Sequence, residues 1–330
     1  MGPAFRTWTA CLLAGLLTVA SACGEQSATL SSSRIETKTI AILRAVPSTP
    51  STIPALLDEL RAAGFSQGLN LTVLGGDPEA TYPDADDARA VVEEWQGMGV
   101  DLILALSSGG ARAALDASDV HVLFISNDPL TAGLVDDEQR PGGRATGVTF
   151  RVPPDRTLDL ARRLLPDLES VGIAVPEDDP AAAAHLTTVQ TAGDELGIEL
   201  VVETFGDDNG VRAAVGRVAE KGVGALWLSN SPAASLVTEE TGAAAEELRL
   251  PVISNSPLAP WALVALTPDT DELGRQLGRQ AARLLSRSTV QAVPVEDPRR
   301  FVLTLNTSVA DDLGIEIPDG LLREATVVIP

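Results

Sequence analysis

The chain has 330 residues, with 24 Lys and Arg against 46 Asp and Glu, and its formal charge at pH 7 is −22. Such an acidic protein repels phosphate backbones and anionic lipid headgroups, which argues against nucleic-acid binding and against membrane docking through basic residues. Hydrophobic residues make up 45% of the sequence, which argues against a disordered chain, and two Cys with two His leave no zinc cluster or disulfide framework.

The first segment has the features of a secretory signal. Arg6 gives a short basic start, residues 10–20 are mostly apolar, and small residues precede Cys23. The ending resembles the lipobox of bacterial lipoproteins, in which the Cys is lipidated, although Ala20 stands where Leu is commoner. An ordinary signal peptide with an incidental Cys is the alternative. We expect residues 1–22 to be a lipoprotein signal peptide and Cys23 to anchor an extracytoplasmic protein to the cell membrane.

A polar, Ser-rich stretch follows and predicts a flexible tether over residues 23–37. Short apolar runs then alternate with segments of helical spacing. Strands are predicted at 39–43, 69–74, 102–106 and 120–126, and helices at 53–63, 84–98 and 111–117. This alternation predicts a parallel sheet with helices on both faces.

The alternation restarts after residue 150. Helices are predicted at 154–165, 185–196, 211–221 and 233–248, and strands at 170–175, 199–204, 225–229 and 252–255. The strand 264–267 and the helix 271–285 are expected to return to the first lobe, and 301–306 with the tail to complete the second. The fold class is therefore α/β, with two Rossmann-like lobes: residues 38–149 plus 260–290, and residues 150–259 plus 291–330.

The loops after the strands are the expected site, because ligands of open parallel sheets bind at the carboxyl ends of the strands. These loops are rich in Ser, Asn and Pro, which bind small polar ligands without catalysing a reaction. We find no Gly-x-Ser-x-Gly motif and no matched Ser, His and Asp. The sequence thus predicts a binding protein, not an enzyme, with no cofactor and no metal.

Residues 124–148, FISNDPLTAGLVDDEQRPGGRATGV, resemble a signature of one family of ABC-transporter substrate-binding proteins. That family includes the tryptophan- and aromatic-amino-acid-binding lipoproteins. LLPD at 164–167, ELGRQ at 272–276 and ADDLGIEIP at 310–318 resemble further family segments in the expected order. The resemblance covers about residues 38–328.

The resemblance implies a type I periplasmic-binding-protein architecture, with the ligand cleft between two lobes joined by three crossover strands. It also implies that a small, amino-acid-like solute is captured by hinge closure and delivered to an ABC permease and ATPase. We expect a monomer with no nucleic-acid partner. A ligand-sensing lipoprotein that presents its solute to a membrane receptor or kinase is the alternative.

The family places a small hydroxyl residue opposite the ligand carboxylate, which here corresponds to Ser107 and Ser108. Both residues equally fit capping of the helix that follows. Asp128 stands where a ligand amino group would need an acidic partner, but Asp before Pro also initiates turns. Phe150 either stacks on the ligand or packs between the lobes.

In the second lobe, Ser229, Asn230 and Ser231 form the strand-end loop that we expect to contact the ligand, and capping within the loop is the alternative. Asn255 and Ser256 are similar candidates. Many relatives carry an Asn-Pro-x-x-Pro-Asn-Ser type loop where residues 175–184 read VPEDDPAAAA. Glu177, Asp178 and Asp179 in this loop form a solvated helix start or favour a cationic ligand. Trp261 either lines the pocket or packs in the core.

Overall fold

Two sheets, one in each lobe, organise the fold in the computed structural model. The structure describes residues 37–44, 52–77, 81–82, 84–177, 180–206, 210–228, 238–257, 259–286 and 288–330. Both sheets lie within one unit of the chain, Glu36–Pro330. The predicted signal peptide, Cys23 and nearly all of the predicted tether lie outside the described residues.

The first lobe contains the sheet formed by the first half of the chain. Its strands are Lys38–Leu43 (β1), Leu71–Leu74 (β2), Leu102–Ala105 (β3), His121–Ser126 (β4) and Ala145–Thr149 (β5). The intervening helices are Thr52–Ala62 (α1), Ala85–Gly97 (α2) and Ser108–Ala117 (α3). The described strands are all parallel, in the order β2-β1-β3-β4-β5. This is the parallel sheet that the sequence predicts, with β5 added at one edge.

The second lobe begins with helix Pro154–Leu164 (α4). Its strands are Ser170–Pro176 (β6), Glu199–Phe205 (β7), Ala225–Leu228 (β8), Val252–Ser254 (β9), Val264–Pro268 (β10), Phe301–Asn306 (β11) and Val327–Ile329 (β12). The helices that follow along the chain are Pro180–Leu196 (α5), Gly210–Glu220 (α6), Thr238–Glu247 (α7), Thr270–Leu285 (α8), Thr307–Leu313 (α9) and Asp319–Glu324 (α10). All of these except α8, which packs on the first lobe, belong to the second lobe. The described strands take the order β12-β11-β10-β9-β8-β6-β7, and only β10 and β11 run antiparallel.

Local sequence signals explain where several elements begin and end. All four side chains of β3 are buried, as expected for an apolar strand covered on both faces. Asp84 caps α2, because its carboxylate accepts hydrogen bonds from the backbone N–H groups of Asp86 and Asp87. Gly314 ends α9 in the left-handed region, with a φ of 72°. Leu69, predicted to belong to a strand, instead lies in the turn before β2 and is 69% exposed.

The expectation that residues 264–267 return to the first lobe is wrong. These residues form β10, which pairs with β9 through Val264 and Ile253 and with β11 through Val264 and Leu305. A short apolar strand carries no local signal of which sheet it joins, because the choice depends on its pairing partners. The chain therefore crosses to the first lobe after β10, and not before it.

Helix α8 packs against α1 of the first lobe, where we expected it. Two glycines of its ELGRQLG segment make this contact close. A Cβ on Gly274 would collide with the carbonyl oxygen of Thr52 and lie 2.9 Å from the Cβ of Ala55. A Cβ on Gly278 would lie 2.7 Å from the carbonyl oxygen of Leu56. The glycines are therefore needed for the backbone of α8 to approach α1.

Candidate ligand-binding site

The carboxyl ends of the parallel strands bring the predicted site residues to one edge of each sheet. In the first lobe, the register sets Leu43 beside Ala105 and Ala105 beside Phe124, so β1, β3 and β4 end near one another. In the second lobe, Leu228 of β8 is in register with Ser254 of β9. Ligands of open α/β sheets bind outside such edges.

Ser107 and Ser108 have different partners at the end of β3. The Ser107 hydroxyl oxygen accepts a 3.0 Å hydrogen bond from the N–H of Gly110, so Ser107 caps α3. The half-buried Ser108 hydroxyl lies 2.8 Å from the buried hydroxyl of Ser126 at the end of β4. This pair joins the ends of two strands directly at the sheet edge. Contact of either residue with a ligand stays a prediction.

Asp128 is engaged within its own turn. One carboxylate oxygen accepts the N–H of Thr131 at 3.0 Å, and the other accepts the Thr131 hydroxyl at 2.6 Å. The Asp128 carbonyl also accepts the N–H of Ala132. These contacts match the turn-initiating role that the Asp-Pro sequence equally suggested.

Phe150 follows β5 and is bound to the first lobe. Its N–H donates a 3.0 Å hydrogen bond to the carbonyl of Ser126. Its half-buried ring packs against the core cluster that contains Leu123 and Val148. The contacts in the structure therefore place the ring against the core of this lobe, and stacking on a ligand stays a prediction.

Arg44 is a buried cation at the same edge that the sequence analysis missed. It follows β1, is 1% exposed, and donates hydrogen bonds to the carbonyls of Gly75 at 3.1 Å, Gly76 at 3.4 Å and Asp77. Burial lowers the pKa of Arg44, and the nearby Asp77 and Tyr82 partly offset this effect. The signal that could have found it is a charged residue directly after a fully apolar strand. Arg44 fixes the loop after β2 beside the end of β1.

Asn255, a predicted ligand residue of the second lobe, is buried in a hydrogen-bond network. It is 1% exposed, and its side-chain oxygen accepts the Trp227 indole N–H at 2.8 Å. Its side-chain amide donates to the Thr157 hydroxyl at 3.0 Å and to the Leu266 carbonyl at 2.9 Å. These contacts join β8, β9, β10 and α4. Asn255 therefore holds the lobe together.

Ser256 is equally buried beside Asn255, at 1% exposure. Its N–H donates a 2.9 Å hydrogen bond to the hydroxyl of Ser254. Ser229, Asn230 and Ser231, the other candidates of this lobe, lie outside the described residues.

The acidic loop after β6 is described only at Glu177. This residue is exposed, and its carboxylate accepts the Thr204 hydroxyl at 3.1 Å across the end of β7. Asp178 and Asp179 lie outside the described residues.

The aromatic residues that are described pack within their own lobes. Trp261 lies against α7, where a Cβ on Gly242 would come within 2.6 Å of the indole. Trp95 meets Tyr82 edge to face, with ring centroids 6.1 Å apart. Trp261 thus has the packing contact that the sequence left as one of two possibilities. Within the described residues, no group of three His, Cys, Asp or Glu side chains is arranged to hold a metal ion.

Comparison with known proteins decides the family. The profile described as "ABC transporter substrate binding protein" matches residues 39–329. The chain belongs to this family. Members of the family are extracytoplasmic binding proteins of ABC transporters, so the chain binds a solute and is not an enzyme. The resemblance seen in the sequence is confirmed. No helix among the described residues is both long and apolar enough to cross a membrane.

Three known proteins are similar to this chain in sequence or in fold. The chain is 22% identical to the tyrosine-binding protein of Clostridioides difficile over 276 residues, which are 81% of this chain and 78% of the relative. The structure of an ABC domain from Streptococcus pneumonia in complex with L-Trp has a TM-score of 0.76 and 20% identity, with 89% of this chain and all of that chain covered. An open, ligand-free substrate binding protein with adhesive properties from Clostridium difficile has a TM-score of 0.73 and 21% identity, over 89% and 99% of the two chains. The structural likenesses confirm the two-lobed α/β fold of periplasmic binding proteins.

Proposed function

We propose that this protein is a lipid-anchored solute-binding protein that captures an amino acid between its lobes by hinge closure and delivers it to an ABC importer. The observation that carries the proposal is the family match over 39–329, which spans both lobes. Two relatives, the tyrosine-binding protein and the ABC domain in complex with L-Trp, support an amino acid as the solute.

The edge of the first lobe is compatible with binding the ligand carboxylate. Helix α3 begins at Ser108, and the residues that follow, Gly109 and Gly110, carry no side chain over its first turn. The N–H groups and the dipole at a helix start favour an anion. The half-buried Ser108 hydroxyl stands at the same point. These features support a carboxylate there, in accordance with the family resemblance.

A thermal-shift screen of the full chain tests the solute class. The screen covers amino acids, including L-tyrosine and L-tryptophan, together with polyamines, purines and small peptides. A solute that binds the folded state raises the melting temperature as its concentration exceeds its dissociation constant. We expect one amino acid to do so. A shift only with polyamines would contradict the amino-acid proposal, and no shift across the screen would contradict solute capture.

The lipid anchor is tested separately at Cys23. We expect Cys23→Ala to move the protein from the membrane fraction to the soluble fraction, because no thiol remains at the predicted cleavage point. Cys11→Ala, inside the apolar part of the predicted signal, is the matched control and should leave the protein in the membrane fraction. Equal membrane association of both variants, with the amount of unprocessed precursor also unchanged, would contradict the anchor.

A further inference from the structure

The described chain crosses between the lobes at three places, and polar contacts fix two of them to the first lobe. The first crossing follows β5 and leads to α4. The second joins β10 to α8. The third runs from Glu296, which lies beside β5, to Phe301 at the start of β11. The contacts at each crossing show where the hydrogen bonds to the first lobe end.

The first crossing is held by Arg151, two residues after β5. Its guanidinium donates to both carboxylate oxygens of Glu138, at 3.0 and 2.8 Å. It also donates to one oxygen of Asp297 on the third crossing, at 2.8 and 3.1 Å. The buried Thr149 hydroxyl donates to that same oxygen at 2.6 Å. Arg151 therefore ties the first crossing to a loop of the first lobe and to the third crossing.

The third crossing is held from its other side by Gln276 of α8, which is 1% exposed. Its amide donates at 3.0 Å to the Glu296 carboxylate and to the Asp297 carbonyl, and its oxygen accepts the Arg299 N–H at 3.2 Å. Glu296 also pairs with β5, because its N–H donates to Gly147 and its carbonyl accepts the N–H of Thr149. Glu296 thus forms a single parallel bridge with Val148 at the edge of the first lobe's sheet.

The charges in this cluster reinforce one another. Burial opposes the charge of Arg151, but the hydrogen bonds that Arg151 donates to Glu138 and Asp297 outweigh it and raise the pKa of Arg151. Burial likewise opposes the charge of Asp297, but hydrogen bonds from Thr149 and Arg151 lower its pKa. The bidentate pairing of Arg151 with Glu138 adds a fixed geometry to the attraction.

The chain changes lobe within a few residues of these contacts. After Arg151, only Val152 and Pro153 precede α4. The second and third crossings are joined by a 2.9 Å hydrogen bond from the N–H of Asp269 to the carbonyl of Arg300. Pro268 then pairs with Phe301 in the sheet of the second lobe.

We propose that Arg151, Glu138, Thr149, Asp297 and Gln276 form a clamp that sets the pivot of lobe closure. With the clamp made, the first lobe is rigid through Arg151 and Asp297. Bending is then confined to residues 152–153, 269 and 300, consistent with hinges that absorb their rotation in a few positions. The inference rests on the proposed function, in which the lobes close on a solute, and it assigns the residues that position the hinge.

Electron spin resonance distances test the clamp in the full chain without any solute. The background carries Cys11→Ser and Cys23→Ser, which remove the two native thiols. Spin labels are then attached through Asp119→Cys in the first lobe and Glu220→Cys in the second, both exposed positions. We expect Arg151→Gln to broaden the distribution of inter-label distances, because bending spreads beyond the short pivot.

The matched control is Arg163→Gln, which removes an exposed ion pair with Glu324 inside the second lobe and should leave the distribution unchanged. Glu138→Gln and Thr149→Val remove single members of the clamp and should broaden it less. If Arg151→Gln does not fold, as shown by the lack of a cooperative melt, the distance distributions of Glu138→Gln and Thr149→Val test the clamp instead. If the distribution of inter-label distances keeps its width in every clamp variant that folds, the inference is overturned. Because no solute is added, this outcome is separate from a failure of the solute screen.

Discussion

Two strand ends, one in each lobe, use polar residues in opposite ways. In the first lobe, Ser108 and Ser126 form a hydroxyl pair that is partly open at the sheet edge. In the second lobe, Asn255 lies inside the protein and joins Trp227 and Thr157. The same kind of sequence signal, a polar residue near the end of an apolar strand, thus marks a site at the sheet edge in the first case and a buried hydrogen-bond network in the second. We therefore expect the buried network around Asn255 to contribute more to the free energy of unfolding than the Ser108–Ser126 pair does.

The largest expected effect is that of Asn255→Ala in the second lobe. The substitution leaves the buried Trp227 indole N–H and Thr157 hydroxyl without their partner. Each unpaired buried group costs about 1–3 kcal/mol, so we expect a loss of about 3 kcal/mol in the free energy of unfolding. Urea unfolding measures it. A loss below about 0.5 kcal/mol, the size usual for surface substitutions, would contradict the internal role of Asn255.

Gly274→Ala tests packing in the first lobe by the same measurement. The added methyl group meets the Thr52 carbonyl oxygen and the Ala55 side chain. Overpacking of this kind costs about 1–3 kcal/mol. Gly216→Ala on α6 is the matched control, because nothing lies within 4 Å of its added Cβ. The control should instead gain about 0.5–1 kcal/mol from helix propensity. Equal effects at both glycines would contradict the close approach of α8 to α1.

We expect His185 to make the free energy of unfolding depend on pH. Burial lowers the pKa of His185, and its buried Nε2 has no hydrogen-bond partner among the described residues. The unfolded chain therefore takes up the proton first, and the free energy of unfolding falls as the pH drops below about 6.5, the ordinary His pKa. We expect His185→Gln to flatten this fall between pH 7 and 5. His121→Gln, at an exposed position on β4, should not flatten it. A fall that is equally steep with and without His185 would contradict its burial as the cause.

Ser108→Ala at the edge of the first lobe should have the smallest effect on stability. The substitution removes a single hydrogen bond, the one between the Ser108 and Ser126 hydroxyl groups. The Ser126 hydroxyl that loses its partner lies at the edge of the sheet and not in the centre of the core. We expect a loss of about 1 kcal/mol or less in urea unfolding. A loss as large as that of Asn255→Ala would mean that the two lobes do not differ in the way described.

Most helices and strands of both lobes could be predicted, because their signals are local. The buried strand β3 has an unbroken apolar run, and Asp84 marks the start of α2. The three-residue edge strand β12 and the lobe assignment of β10 could not be predicted, because both depend on pairing with distant residues. Asn255 shows the same limit at the candidate site. Its sequence neighbours do not reveal that Trp227 and Thr157 lie across from it.

Isothermal titration calorimetry of the full chain tests solute capture most directly. The titrants are L-tyrosine, L-tryptophan and whichever solute raises the melting temperature most. We predict saturable binding with one solute per chain, and recovery of the solute chemically unchanged. No saturable heat with any of these solutes, or a solute converted to a product, would contradict the proposal that this protein captures an amino acid for an ABC importer.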